Sequence, residues 1–121
     1  MLFRKGYSVT LNMVHDNITI REGDETLKLC VNGDAMRMVA GLNKAQAKMK
    51  GVTEETPDED VKEVAEYFAA VIFGKEQAAK LMAFYAEDPG CVITVCGRYF
   101  SERLAGKITE AQKRMKNAEA V

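Results

Sequence analysis

Four side chains carry chemistry that could hold a metal or attack a substrate: His15, Cys30, Cys91 and Cys96. A metal needs its ligands clustered at helix or loop spacings. Cys91 and Cys96 stand five apart, and on a helix they diverge by about 140°, so they cannot share one ion without unwinding. A nucleophilic enzyme needs a thiol or hydroxyl within reach of a base. His15 is the only histidine, and it falls in a predicted turn, where a solvated ring is the expected state. The sequence leaves a pairing of His15 with Cys30 or Cys91 open. Ser8 and Ser101 have no obvious partner. The carboxylates between Glu54 and Glu66 crowd a predicted helix start, where capping and the helix dipole account for them without acid–base catalysis. Gly33-Asp34 and Asp88-Pro89-Gly90 match no phosphate-binding fingerprint. The expectation is no catalytic residue, no metal site and no cofactor, hence not an enzyme.

The frame that would position any site is small. At 121 residues the chain fits one domain, which buries roughly two thirds of its unfolded surface. Apolar residues make up 47% and charged ones 29%, so a packed core is expected in place of disorder. No apolar run approaches the roughly 20 residues that span a bilayer. Met1 to Gly6 lack the apolar stretch of a signal peptide. A cytoplasmic protein without membrane contact is expected. The odd cysteine count then argues for reduced thiols acting as small hydrophobes.

The net charge is only -1, but the charges are uneven. Arg37, Lys44, Lys48 and Lys50 occur without an acid between residues 35 and 50. Seven acids against Lys62 follow at 54–66. Complementary helix surfaces are the expected reading, and steering of a charged partner is the other. Arg98, Arg103, Lys107, Lys113, Arg114 and Lys116 could contact phosphates. However, Glu102, Glu110 and Glu119 interleave with them, and the pI is about 5.9. A solvated helix of mixed charge is expected there, with a small nucleic-acid-binding regulator as an alternative.

The first third alternates with period two. Tyr7, Val9, Leu11 and Met13, then Ile18 and Ile20, then Leu27, Leu29 and Val31 mark three half-buried strands. His15-Asp16-Asn17 and Glu22-Gly23-Asp24-Glu25 read as breaks between them. The fold class is therefore α+β: an N-terminal three-stranded antiparallel meander, followed by four to five helices. The helices follow from period 3.6. One runs from the cap at Asn32-Gly33-Asp34 to Lys50, with Ala35, Met38, Val39, Leu42, Ala45 and Met49 as its stripe. The second opens at Thr56-Pro57, with threonine as cap, and ends at Gly74. The third spans about 75–86. The fourth starts at Asp88-Pro89, contains Gly97, which could let a neighbour approach closely, and is interrupted by Gly106. Residues 1–106 are expected as one domain. Residues 107–121 are expected as a weakly packed helix or tail with the stripe Ile108, Ala111, Met115, Ala118.

What remains suits protein contact. Tyr67-Phe68, Phe84-Tyr85 and Tyr99-Phe100 are adjacent aromatics whose side chains diverge by about 100° on a helix. One small core need not absorb both members of each pair, and aromatics favour interfaces. Seven methionines add adaptability. The candidate partner-binding residues are Met36, Tyr67, Phe84, Ile108 and Met115.

A set of local patterns extends over most of the chain. Phe3-Arg4-Lys5-Gly6-Tyr7 opens it, and Ala69-Ala70-Val71-Ile72-Phe73-Gly74-Lys75-Glu76 closes the second helix. Leu81-Met82-Ala83-Phe84-Tyr85, Asp88-Pro89-Gly90, Tyr99-Phe100-Ser101 and a charged tail follow. With these the chain resembles the small tail assembly chaperones of long-tailed phages and prophages of Gram-positive bacteria. The helix-Phe-Gly-helix stretch at 68–82 is the most telling part. The resemblance implies a non-enzymatic protein without cofactor, which coats hydrophobic helices of the tape measure protein before the tail tube polymerises. Members are often made in two lengths by a frameshift. A homo-oligomer is compatible with this, and a structural tail or head–tail connector protein retained in the virion is the nearest alternative.

Overall fold

The computed structural model describes residues 11–120. The α+β class holds, with a smaller sheet than expected. Strand β1 covers Met13–Glu22 and strand β2 covers Glu25–Asp34, paired antiparallel from Met13↔Asp34 to Glu22↔Glu25. The described residues contain this one two-stranded sheet. The expected first strand, Tyr7 to Met13, lies mostly outside the described residues; of its end, Leu11 and Asn12 are helical and Met13 opens β1. Gly23 takes a left-handed φ of 59° at the first position of the two-residue loop, which a type II′ hairpin turn requires.

His15-Asp16-Asn17 is not a break; β1 runs straight through it. The inward positions of the hairpin are Val14, Asp16 and Ile18, paired with Gly33, Val31 and Leu29. A buried aspartate in a strand is costly unless its oxygens are satisfied. Asp16, 7% exposed, accepts from the Tyr99 hydroxyl on Oδ2 at 2.8 Å. Its Oδ1 accepts from Arg103 Nη2 at 2.6 Å and from the Asn17 backbone N–H at 2.9 Å. Lys107 Nζ stands 3.9 Å away. The turn-forming residues stay extended because these long-range partners replace the local bonds a turn would offer.

Helices α1 (Ala35–Lys50), α2 (Asp58–Phe73), α3 (Lys75–Phe84) and α4 (Pro89–Tyr99) follow. Asp34 caps α1 by accepting from the N–H groups of Met36 and Arg37, and Asp88 caps α4 in the same way. Thr56 does not cap α2. Its hydroxyl oxygen accepts from Thr53 N–H within the preceding loop, and Pro57 supplies the cap position. Helix α3 ends earlier than expected, because Ala86 and Glu87 both adopt left-handed φ (52° and 64°) without a glycine. Glu87 N–H donates back to Met82 O at 2.8 Å, closing the helix end.

Gly106 does not interrupt the last helix. A π turn at Phe100–Leu104 carries α4 into α5 (Ala105–Ala120), with Ala105 N–H donating to Phe100 O. The Ser101 hydroxyl donates to the carbonyls of Gly97 and Arg98, which serves the widened turn. Residues four apart drift by about 40° per step on a regular helix. A π turn takes up more residues and offsets that drift. It keeps Tyr99 and Arg103 in line over Asp16, while Leu104 and Ile108 stay in the core. In the segment expected to pack weakly, Ile108 and Ala111 are buried and Met115 is half-buried, while the other described side chains beyond Lys107 are exposed.

The helices share one core with the inner sheet face, centred on Phe68, Ile72, Leu81, Val92, Cys96 and Leu104. Close approach occurs at Gly41, not Gly97: a Cβ at Gly41 would stand 2.8 Å from Val71 Cγ1. The hairpin is tied to the helices at two further points. The Gln77 amide accepts from Cys30 N–H and donates to Cys30 O, as a neighbouring strand would. Tyr85 OH donates to Glu22 at 2.9 Å.

Two substitutions test this packing. Gly41→Ala gains up to about 1 kcal/mol of helix propensity but overpacks against a stiff β-branched side chain, at about 1–3 kcal/mol. Urea unfolding should show net destabilisation that reverses sign in a Val71→Ala background; stabilisation in both backgrounds would disprove the close contact. Asp16→Ala leaves the Tyr99 hydroxyl without its acceptor and removes the charge-assisted bond of the half-exposed Arg103. It should cost about 2 kcal/mol, against about 1 kcal/mol for Tyr99→Phe; equal stability of Asp16→Ala and the parent would show that the carboxylate holds nothing.

Candidate functional site

The residues nominated by sequence do not converge. Met36 is the one large apolar side chain left well exposed among the described residues, at 55%. Tyr67 is half-buried, with Lys48 Nζ 5.1 Å from its ring centre. Phe84 is half-buried and meets Tyr85 edge-on at 5.1 Å. Met115 is half-buried on α5. Ile108 must be corrected: at 6% exposure it is a core residue, and only its edge reaches a surface cavity. Of the stripe that marked it as a docking residue, Ile108 and Ala111 are buried within the chain, Met115 is half-buried and Ala118 is exposed.

The cavity that stands out is one the sequence reading did not single out. Helices α1 and α4 diverge above Phe68 of α2 and leave a cleft of about 330 Å³, lined by Leu42, Met49, Phe68, Ile93, Gly97 and Phe100, with Asn43 and Gln46 at its lip. A second hollow of about 220 Å³ shares Leu42, Asn43 and Phe100 with it and continues between α1 and α5, past Val39, Ala105 and Ile108 to Thr109 and Gln112. Together they form one groove walled by two helices. Its position follows from the 3.6-residue stripe of α1. Ala35, Met38 and Ala45 fill the core, while Val39, Leu42 and Met49 on the flank are half-buried. Phe100 is held half-buried at the centre of the groove by the π turn. The stripe was legible in the sequence; that its flank would face a gap was not.

The charged and thiol groups are arranged differently from expectation. Among the described residues no ion pair joins α1 to the acids of α2. Lys48 faces the Tyr67 ring instead. Of the C-terminal cations, Arg103 and Lys107 turn toward Asp16, and Arg114 donates to Met13 O. That inward use leaves less positive charge for phosphates. Cys30 and Cys91 are exposed; only Cys96 is the small buried hydrophobe expected. His15 points outward from β1, and no group of three metal-ligating side chains occurs among the described residues. Cys91 lies beside Glu22, Tyr85, Asp88 and Arg98 in a polar hollow. Desolvation, then the charge of Asp88, raises its pKa, opposite to what an activated thiol needs.

Burial alone pushes the Cys96 thiol up to about 12. Desolvation, with the hydrogen bond to Glu22, pushes the Tyr85 phenol to about 12 as well. In the unfolded chain a thiol ionises near 8.5, so from that pH upward the unfolded state loses its proton first. The stability contributed by neutral Cys96 is complete below about pH 8.5 and falls as pH rises toward 12. Urea unfolding at pH 8 and pH 10 should show the parent losing on the order of 2 kcal/mol more than Cys96→Ala; identical losses would place the thiol in water.

No helix among the described residues is long and apolar enough to cross a membrane. No family model, curated protein or solved structure matches this chain.

Proposed function

We propose that this protein is a non-enzymatic binding module that captures an apolar helix of a partner protein in the groove between α1 and the α4–α5 helix. The observation that supports this reading is the groove itself: a neutral, largely apolar cleft between two helices, floored by Phe68 and Phe100. Helix-in-groove recognition lays the apolar face of one helix into such a cleft. The half-buried side chains along it, Val39, Leu42, Met49, Ile93 and Phe100, already pack on the core, so binding need order only their outer surfaces.

The resemblance to tail assembly chaperones names the occupant. The tape measure protein is long and helical, and its apolar faces lie exposed until the tail tube closes around it. A small chaperone in the bacterial cytoplasm would cover those faces reversibly and leave as the tube polymerises. The exposed Met36, on the same helix as Leu42 and Met49, extends the contact with an adaptable side chain.

Co-expression with a long, helix-rich tape measure protein tests this. The tape measure protein should remain soluble and co-purify with the tagged chain, and mass spectrometry of finished particles should lack the chain. A tape measure protein equally insoluble with and without it would end the chaperone reading, and recovery of the chain from finished particles would make it a structural tail component.

A further inference from the structure

We infer that the outer edge of β1 is a docking site for an extended, acidic segment of a partner protein, which adds a strand beside β1 and sets its carboxylates against Lys107 and Arg114. The site lies away from the α1–α4 groove and does not rest on the reading of that groove.

The two edges of the hairpin differ. Cys30 turns its N–H and its C=O away from β1, and the Gln77 amide bonds both. That closes β2 at its centre, and Lys28 guards the same edge. Cys30 stands opposite Asn17, so the antiparallel ladder directs the N–H and C=O of Met13, His15, Asn17, Thr19 and Arg21 outward. Arg114 takes Met13 O, and Asp16 takes the Asn17 N–H. The N–H and C=O of His15, Thr19 and Arg21, with the C=O of Asn17, meet no partner among the described residues. Strand β1 also lacks the devices that blunt an edge. Its pairing runs from Met13 to Glu22 without a bulge, and it contains no proline or lysine. Donors and acceptors at this repeat are matched by another extended backbone, which is recognition by strand addition.

Charge along the edge selects the segment. Lys107, Glu110 and Arg114 share one face of α5, the far side from Ala105, Thr109 and Gln112 at the groove. Between that face and Met13–His15 lies a hollow of about 260 Å³. Lys107 is 3.9 Å from an Asp16 oxygen that Arg103 already holds at 2.6 Å, so two cations share one carboxylate. Arg114 and Glu110 form no ion pair among the described residues. The exposed side chains of His15, Asn17, Thr19 and Arg21 include no acid to repel a carboxylate. Beyond the hollow, Ile18 and the half-buried Ile20 offer apolar contact on the inner face. Antiparallel pairing lays the C-terminal half of the segment beside Met13–Asp16, so its acids belong there and β-branched residues before them.

The probe is a labelled peptide of about ten residues, alternating threonine and valine, with glutamates in its C-terminal half. Its control carries lysines in their place. By fluorescence anisotropy with the full chain, the glutamate peptide should bind at least tenfold more tightly and weaken as salt rises. Arg114→Glu should weaken it at least tenfold at the melting temperature of the parent. Thr19→Pro removes an outward donor without touching the β1–β2 ladder, where an edge tolerates proline, and should abolish binding. Amide exchange reads the edge directly: Thr19 and Arg21 should exchange fast in the free chain and slowly with peptide bound. Equal binding of the two peptides, undiminished binding by Arg114→Glu or by a folded Thr19→Pro, or amides still fast in the complex would overturn the inference. Amides already protected in the dilute free chain would also overturn it, by making another part of the chain the added strand. A parent dimer in sedimentation that Thr19→Pro dissociates would do so too, by making a second copy the occupant.

Discussion

A single buried carboxylate joins the two halves of this protein. A lone hairpin is marginal in water, and β1–β2 persists because its inner face is pressed on helices. Most of that face is apolar, but Asp16 sits among Val14, Ile18, Leu29 and Val31 with both carboxylate oxygens hydrogen-bonded. Its partners Tyr99 and Arg103 stand on either side of the α4–π boundary, so the carboxylate sets both the height and the rotation of the long helix under the sheet. The phenol of Tyr99 holds its proton far above the usual range, through burial first and its bond to Asp16 second. Apolar packing alone would let the helix slide or turn; hydrogen bonds of fixed length and direction do not.

The groove depends on that placement. With Tyr99 and Arg103 held against the sheet, other faces of the same helix carry Ile93, Gly97 and Phe100 toward α1. The other wall is set by Gly41, which lets α1 come down on Val71 of α2. Gly41 and Gly97 thus differ in their surroundings: the first is consumed by internal contact and brings a wall into place, while the second borders the cleft with open space beside it. Both carry the same propensity cost, and only their surroundings tell them apart.

Part of this was legible beforehand, because it is local. Period 3.6 located α1 to α4, Asp34 and Asp88-Pro89 marked two helix starts, and Gly51 and Gly74 marked two ends. The hairpin loop was visible in Glu22-Gly23-Asp24-Glu25. The misreadings share a cause. His15-Asp16-Asn17 looked like a turn because aspartate and asparagine favour one when they have only their own backbone to bond; partners 83 and 87 residues away reversed that preference. The end of α3 at Ala86 and Glu87 carries no glycine, and a back-bond from Glu87 to Met82 sustains the left-handed pair. Ile108 was read as a docking residue because α5 has a thin stripe; continuity through the π turn buries it.

By itself, then, the sequence determined the α+β class, the helix stripes and caps, and the neutral character of the residues that came to line the groove, since periodicity, capping chemistry and side-chain charge are properties of neighbours along the chain. Only the tertiary structure decided that Asp16 would be buried and satisfied, that Gly41 would be filled and Gly97 left open, and that the flank of α1 would face a cleft. Each of those depends on how far apart two helices stand, and that distance is set by contacts between residues remote in sequence.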